Sequence, residues 1–256
     1  MLNWLLILSV TLASTTILMF VTTYIAILPE AGNFFSVTRS SVLLLSNSFN
    51  IFYIIISPLI FRILNKYYLV LVRIGVVAIA LGCIGRYLSE TNYTSALIMS
   101  IIVAISHVPI ITAPYGLLKL FPTEKRGYAA SIPLFVPSLG INFCIFYGMD
   151  LIASSNEKAV LPQDYYGYIN TLHLIIAIVG TVSMISTLVL LSKLSEDIKK
   201  IIKESEDEAA LGESKEIIRN IRDQAKINKK FVLCVICWGV ILGINWTYGG
   251  MFGVIF

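Results

Sequence analysis

The sequence predicts an all-α polytopic membrane protein, in which a bundle of six membrane-spanning helices is followed by a seventh. Of the 256 residues, 57% are hydrophobic and 13% are charged, whereas a soluble domain carries about 25% charged residues. The hydrophobic residues form seven runs, each about as long as the roughly 20 residues that a helix needs to cross a bilayer. One long hydrophilic segment, 193–230, separates the sixth run from the seventh.

Polar and charged residues that interrupt the apolar runs set the predicted boundaries. Residues 1–192 form the N-terminal six-helix bundle, and 231–256 is the seventh helix, interpreted as the start of a truncated second half. The predicted spans are, in order, Asn3–Leu28, Ser40–Phe61, Tyr67–Tyr87, Ser95–Leu118, Tyr128–Ile152, Ile169–Leu191 and 231–256. The stretch from Pro29 to Arg39 is predicted to be a loop.

Segment 193–230 is predicted to be a charged, partly helical linker outside the bilayer. It contains ten Lys or Arg and nine Asp or Glu residues. Isoleucines at helical spacing, such as Ile198, Ile201 and Ile202, alternate with these charges. Mixed charge with that spacing is typical of amphipathic surface helices.

The distribution of basic residues predicts the orientation in the membrane. One set of alternate loops, which includes the linker, holds 16 Lys or Arg, and the other holds three: Arg39, Arg86 and Lys158. Because basic loops stay in the cytosol, the N-terminus and the 193–230 linker are expected to be cytosolic. The expected location is the plasma membrane or an endolysosomal or vacuolar membrane.

Composition and motifs argue against several other classes of protein. The basic residues lie in loops between apolar runs, so they do not indicate nucleic-acid binding. The four cysteines, Cys83, Cys144, Cys234 and Cys237, fall inside apolar runs and are expected to be core residues. Cys234 and Cys237 have the Cys-x-x-Cys spacing of metal and redox sites, but no second pair accompanies them. We find no nucleophile–base pair or phosphate loop, and we predict no enzyme activity, metal or cofactor.

A short polar turn between the fourth and fifth spans is the predicted gate. Its charged residues, Glu124, Lys125 and Arg126, cluster between two apolar segments. Each segment contains spaced prolines, which suit helices that bend during transport: Pro109, Pro114, Pro133 and Pro137.

This turn, LFPTEKRGYAA at 120–130, resembles the 4–5 loop of the major facilitator superfamily. More narrowly, it is similar to the "WFP…ER…A" loop of the feline leukaemia virus subgroup C receptor-related family. The stretches 53–58, 82–88 and 230–243 resemble that family's helix 2, the end of its helix 3 and the start of its helix 7. Major facilitator transporters have two six-helix halves joined by a linker. The resemblance therefore implies one half, the linker and the first helix of the other half.

The resemblance also implies a function, the transport of a small organic solute by alternating access. Choline-binding members use an aromatic cage made by a tryptophan in helix 1 and a tyrosine in helix 7. Here helix 1 offers Phe20 and Tyr24, and helix 7 offers Trp246 with Tyr248 beside it. An aromatic cage attracts a quaternary ammonium group, so the implied solute is a cationic amine such as choline. Haem is the alternative solute.

Helices 1, 4 and 7 line the central cavity in the proteins that this chain resembles. The predicted substrate-binding residues are the polar and aromatic groups at mid-depth in those helices: Phe20, Thr23, Tyr24, His107, Asn245, Trp246 and Tyr248. His107 either contacts substrate or protons, or is a neutral histidine bonded to a neighbouring helix. For His173 we expect the structural role, that of a neutral histidine bonded to a neighbouring helix.

Two other functions are compatible with the apolar runs. One is a seven-helix receptor, which requires an extracellular N-terminus and lacks support from Asp-Arg-Tyr or Asn-Pro-x-x-Tyr signatures. The other is a non-transporting half-transporter. Apart from the solute and the lipid bilayer, the expected partner is another copy of the chain or a missing C-terminal half.

Overall fold

The structure, a computed structural model, describes residues 1–157 and 162–210, and this part of the chain is mostly helical. No strand occurs in these ranges. The helices are α1 (Leu2–Thr22), α2 (Leu28–Phe35), α3 (Arg39–Leu88), α4 (Tyr93–Leu117), α5 (Thr123–Glu157), α6 (Pro162–Lys193) and α7 (Ser195–Ala210), with a 3₁₀ turn at Leu118–Leu120 after α4.

Six helical stretches of the described chain are long and apolar enough to cross a membrane. They are Leu2–Thr22, Arg39–Ile60, Tyr67–Leu88, Tyr93–Leu120, Thr123–Gly148 and Tyr166–Lys193. Each coincides with one predicted span, which confirms an all-α multi-pass membrane protein. The predicted seventh span, 231–256, lies outside the described residues.

Helix α3 contains two of these spans. Its 50 residues would extend about 75 Å at 1.5 Å per residue, more than twice the thickness of a bilayer core. The backbone leaves the helical region at Tyr67, where φ is −118° and ψ is 25°. We call Arg39–Ile60 the first arm of α3 and Tyr67–Leu88 the second arm.

The two arms run in opposite directions along α4. The first arm is parallel to α4, because Ser41 lies beside Tyr93 and Tyr53, further along the first arm, lies beside His107, further along α4. The second arm is antiparallel, as shown by hydrogen bonds from Tyr68 to Ala113 and from Ser89 to Ser95. The chain therefore reverses near Tyr67, as the predicted short connection between spans 2 and 3 requires.

The predicted loop at 29–39 and the predicted end of helix 1 at Leu28 are both wrong. Helix α1 ends at Thr22, and the short helix α2 follows at Leu28–Phe35. Pro29 lies in the first turn of α2, where its missing N–H is tolerated and its fixed φ suits a new helix. At the end of α1, the Thr23 hydroxyl donates to the Met19 carbonyl over 2.7 Å, so a carbonyl exposed by the break has a donor.

Helix α1 is the central element of the bundle. It is largely buried, and it packs on α3, α4, α5 and α6. Small residues of α5 allow close approach: a Cβ on Gly140 would lie 2.5 Å from Thr15, and a Cβ on Gly148 would lie 2.9 Å from Ala26. Such small-residue faces are how helices approach closely within a membrane.

The six spans divide in chain order into two groups of three, spans 1–3 and spans 4–6. The groups are exchanged, because the later spans of each group pack on the other group. The first arm of α3 contacts α4, where Phe49 lies against His107, and α5 contacts α1 at Gly140. The second arm of α3 packs on α4, and α6 packs on α1. In each group the second and third spans thus pack on the first span of the other group, and the second arm of α3 also packs on α6, where Cys83 lies beside Gly180.

Residues up to Ser195 form one compact unit, and Glu196 begins another. Within the described part of the second unit, α7 continues to Ala210 and carries acidic residues in its first turn, where they favour a helix N-terminus. Lys199 and Glu196 form an exposed salt bridge of 2.7 Å. This helix lies in the predicted linker, and the rest of that linker, 211–230, is outside the described residues.

Candidate functional site

A buried arginine lies in the last turn of the second arm of α3. Arg86 is 2% exposed. Its inclusion in the tally of basic loop residues is wrong, because it lies within α3, which ends at Leu88, and within the predicted span Tyr67–Tyr87. Buried ionisable groups within membrane spans are rare and commonly mark functional sites.

The Arg86 guanidinium links α3 to α1 and α4. Nη1 donates to the Phe20 carbonyl over 2.6 Å, and Nη2 donates to the Ser100 hydroxyl over 2.8 Å. Cζ lies 3.3 Å from the centroid of the Phe20 ring and 4.9 Å from that of Tyr24. Arginine stacks readily on aromatic faces, so these contacts place the cation against two predicted substrate-binding residues.

The end of α1 explains part of this arrangement. The last carbonyls of a helix lack intrahelical donors and carry about half a negative charge. Arg86 donates to one of them, at Phe20, two residues before α1 ends. Among the described residues, its Nε has no hydrogen-bond partner and no carboxylate pairs with the guanidinium.

A tyrosine–histidine pair adjoins the arginine. Tyr24 Oη and His173 Nε2 share a hydrogen bond of 2.7 Å, and both side chains are 1% exposed. The other ring nitrogen, Nδ1 of His173, has no partner among the described residues. Helix α2 covers the pair, with Phe35 in edge contact with Tyr24 and Phe34 in edge contact with His173.

His107 forms a second aromatic cluster near the middle of α4. Its ring centroid is 4.4 Å from that of Phe49 and 5.1 Å from that of Tyr53, both on the first arm of α3. The side chain is 6% exposed, and Nδ1 has no hydrogen-bond partner among the described residues. The structure thus gives Nδ1 no bond to a neighbouring helix.

The structure brings some of the predicted substrate-binding residues together. Phe20 and Tyr24 lie against Arg86, whereas the Thr23 hydroxyl is bonded to the α1 backbone at Met19. His107 belongs to the separate aromatic cluster. The remaining three predicted residues lie outside the described part of the chain: Asn245, Trp246 and Tyr248.

The predicted gate residues lie at the start of α5. Glu124, Lys125 and Arg126 are all exposed, and Arg126 Nε donates to the Phe121 carbonyl over 3.0 Å. The turn also contacts the beginning of α1, where the Trp4 and Phe121 rings meet edge to face at 4.7 Å. The turn is therefore attached to the helix that all other spans surround.

Sequence reasoning missed Arg86 and His173 as partners of Tyr24. Arg86 has the helical spacing of Gly75 and Gly82, which allow α3 to approach α4 closely. His173 is likewise seven residues before Gly180, which packs near Thr16 on α1. A polar residue in phase with small residues on an apolar helix is a signal that could have identified both.

Comparison with known proteins does not identify a family for this chain. The chain matches no protein-family model and is similar to no curated protein.

Proposed function

We propose that the protein is a secondary transporter of the major facilitator type that moves a small organic solute across a membrane by alternating access. The observation that carries this proposal is the exchange of spans between two groups of three around α1 and α4. Ionisable side chains lie buried on this framework, at Arg86, His107 and His173. Together these features provide a repeat architecture and polar groups within the membrane.

The exchange agrees with a nested inverted repeat. Each group has three spans, an odd number, so the second group enters the membrane from the opposite side. Halves of major facilitator transporters contain inverted three-helix repeats, with substrate sites near the repeat interface. In this chain α1 and α4 are the corresponding first helices, and they carry Phe20 and His107.

The outer faces of two helices support pairing with a second six-helix unit. Asn47 and Asn50 on the first arm of α3 are exposed, as are Ser138 and Asn142 on α5. An amide facing lipid without a hydrogen-bond partner costs several kcal/mol. These faces therefore suit another copy of the chain or a C-terminal half, with which they would enclose a polar pathway.

Helices α4 and α5 have the features that movement requires. Pro109, Pro114, Pro133 and Pro137 are all inside them, and each removes a backbone donor. Bending at these points is consistent with a gate at Glu124, Lys125 and Arg126. We propose that this gate, the N-terminus and the linker are cytosolic. The proposed membrane is the plasma membrane or an endolysosomal or vacuolar membrane.

A reporter cysteine at Ser205 tests this orientation against the receptor alternative. In a full-length chain without native cysteines, a membrane-impermeant thiol reagent should label Ser205→Cys only after the cytosolic face is opened. The positive-inside distribution is the physical reason. Labelling of intact cells would contradict the transporter orientation and favour a seven-helix receptor. Thr94→Cys, exposed in the first turn of α4, is the matched control and should label in intact cells.

A further inference from the structure

We propose that Arg86 recognises a carboxylate, and hence that the transported solute carries one. This inference rests on the proposed transport function and adds the chemical class of its substrate. It places the solute against the guanidinium between α1, α3 and α4, beside the Tyr24–His173 pair.

The first argument is the charge balance of the bundle. Among the six spans, the one acidic residue is Glu124, in the first turn of α5, the end opposite the Arg86 turn along the packed helices. Outside the spans, Glu30 lies in the first turn of α2, and its buried Oε2 has no partner among the described residues. Arg86 is buried, and no carboxylate pairs with it among the described residues. A buried cation is strongly unfavourable unless it is paired. The end of α1 supplies about half a negative charge, so an anion would complete the compensation.

The second argument is the set of free donors. A guanidinium has five N–H groups, and Arg86 uses one on Nη1 for Phe20 and one on Nη2 for Ser100. Nε has no partner. A planar carboxylate can accept from Nε and an adjacent Nη at the same time, which is the bidentate geometry that arginine favours.

The third argument concerns the aromatic rings. The faces of Phe20 and Tyr24 were expected to attract a quaternary ammonium, but the Arg86 guanidinium lies 3.3 Å and 4.9 Å from their centroids. A second cation there would compete for the same faces and would be repelled by the arginine. The same surroundings attract an anion, so this part of the site suits a carboxylate.

The test measures binding by the purified full-length chain in nanodiscs. Apparent melting temperature is followed while sodium acetate replaces sodium chloride at constant ionic strength, and tetramethylammonium chloride serves as the cationic probe. The variants are Arg86→Gln, Arg86→Lys and Ser100→Ala. Arg39→Gln is the matched control, because Arg39 is exposed at the start of α3.

We expect acetate to raise the melting temperature of wild type and of Arg39→Gln in a saturable manner. Arg86→Gln should abolish this response. Arg86→Lys should raise the half-maximal acetate concentration by about tenfold or more, because lysine keeps the charge but lacks the fork. Ser100→Ala removes the hydrogen bond that holds the guanidinium in position. It should weaken acetate by about three- to tenfold and serves if Arg86→Gln does not fold.

Two results would overturn the proposal. They are an undiminished acetate response in Arg86→Gln and a saturable response of wild type to tetramethylammonium in place of acetate. Because the assay needs no transport, these results would reject a carboxylate as the ligand. They would not affect the proposed transporter orientation, which the labelling of Ser205→Cys tests separately.

Discussion

Gly140→Leu is expected to prevent α5 from packing against α1 and to remove most of the folded protein. A Cβ at this position would lie 2.5 Å from Thr15 Cγ2, 2.8 Å from Met19 Cγ and 3.3 Å from the Thr15 backbone oxygen. Overpacking costs about 1–3 kcal/mol even when neighbours adjust, and the backbone of the central helix cannot move aside without disturbing its other contacts. The yield of monodisperse protein in detergent and its apparent melting temperature are the measurements.

Gly127 provides the control on the same helix. A Cβ there would meet nothing within 4 Å, and replacing an exposed helical glycine improves helix propensity by up to about 1 kcal/mol. Gly127→Leu should therefore keep the wild-type yield and melting temperature. If Gly140→Leu behaved in the same way as Gly127→Leu, the close packing of α5 on α1 would be incorrect.

Tyr24→Phe is expected to destabilise the bundle although it removes a single oxygen atom. That oxygen is 2.7 Å from His173 Nε2, and the imidazole is buried with its other nitrogen unpartnered. Leaving a buried polar group unsatisfied costs about 1–3 kcal/mol. The apparent melting temperature, or the midpoint of unfolding in a mixed-detergent titration, should fall.

A double-mutant cycle separates the hydrogen bond from packing. In Tyr24→Phe with His173→Phe, both polar partners are gone and the edge-to-face ring contact of 5.7 Å can persist. The double variant should be more stable than the sum of the single losses predicts, because replacing both partners is nearly neutral. Strict additivity of the two single effects would show that the pair is not coupled.

The spans were predictable because bilayer thickness imposes a length and a polarity that the sequence shows directly. The end of helix 1 was not. Residues 23–28 are as apolar as the helix before them. Two side chains donate to carbonyls near the end of α1: the neighbouring Thr23 hydroxyl donates to Met19, and Arg86, distant in sequence, donates to Phe20. Hydropathy does not reveal such donors, so the prediction extended the helix to Leu28.

Only part of the candidate site was predictable for a similar reason. Phe20, Tyr24 and His107 were found because they are polar or aromatic groups in apolar runs, although the predicted mid-depth position holds for His107 alone: Phe20 lies two residues before the end of α1, and Tyr24 lies beyond it. Arg86 was missed since charge near the end of an apolar run normally indicates a loop, and the cover that buries it comes from other helices. The Tyr24–His173 bond joins positions 149 residues apart, and no local pattern specifies which side chains meet across a bundle.

The central claim, that the polar groups of this bundle are reached alternately from both sides of the membrane, is tested most directly by the accessibility of His107→Cys. The full-length chain would carry this cysteine in place of its four native ones, in right-side-out and in inside-out vesicles. Thr94→Cys and Thr123→Cys, both exposed at opposite ends of the bundle, serve as one-sided controls. We predict that a charged, impermeant thiol reagent labels His107→Cys from either side and each control from one side only. Labelling of His107→Cys from neither side, or from one side alone, would contradict alternating access.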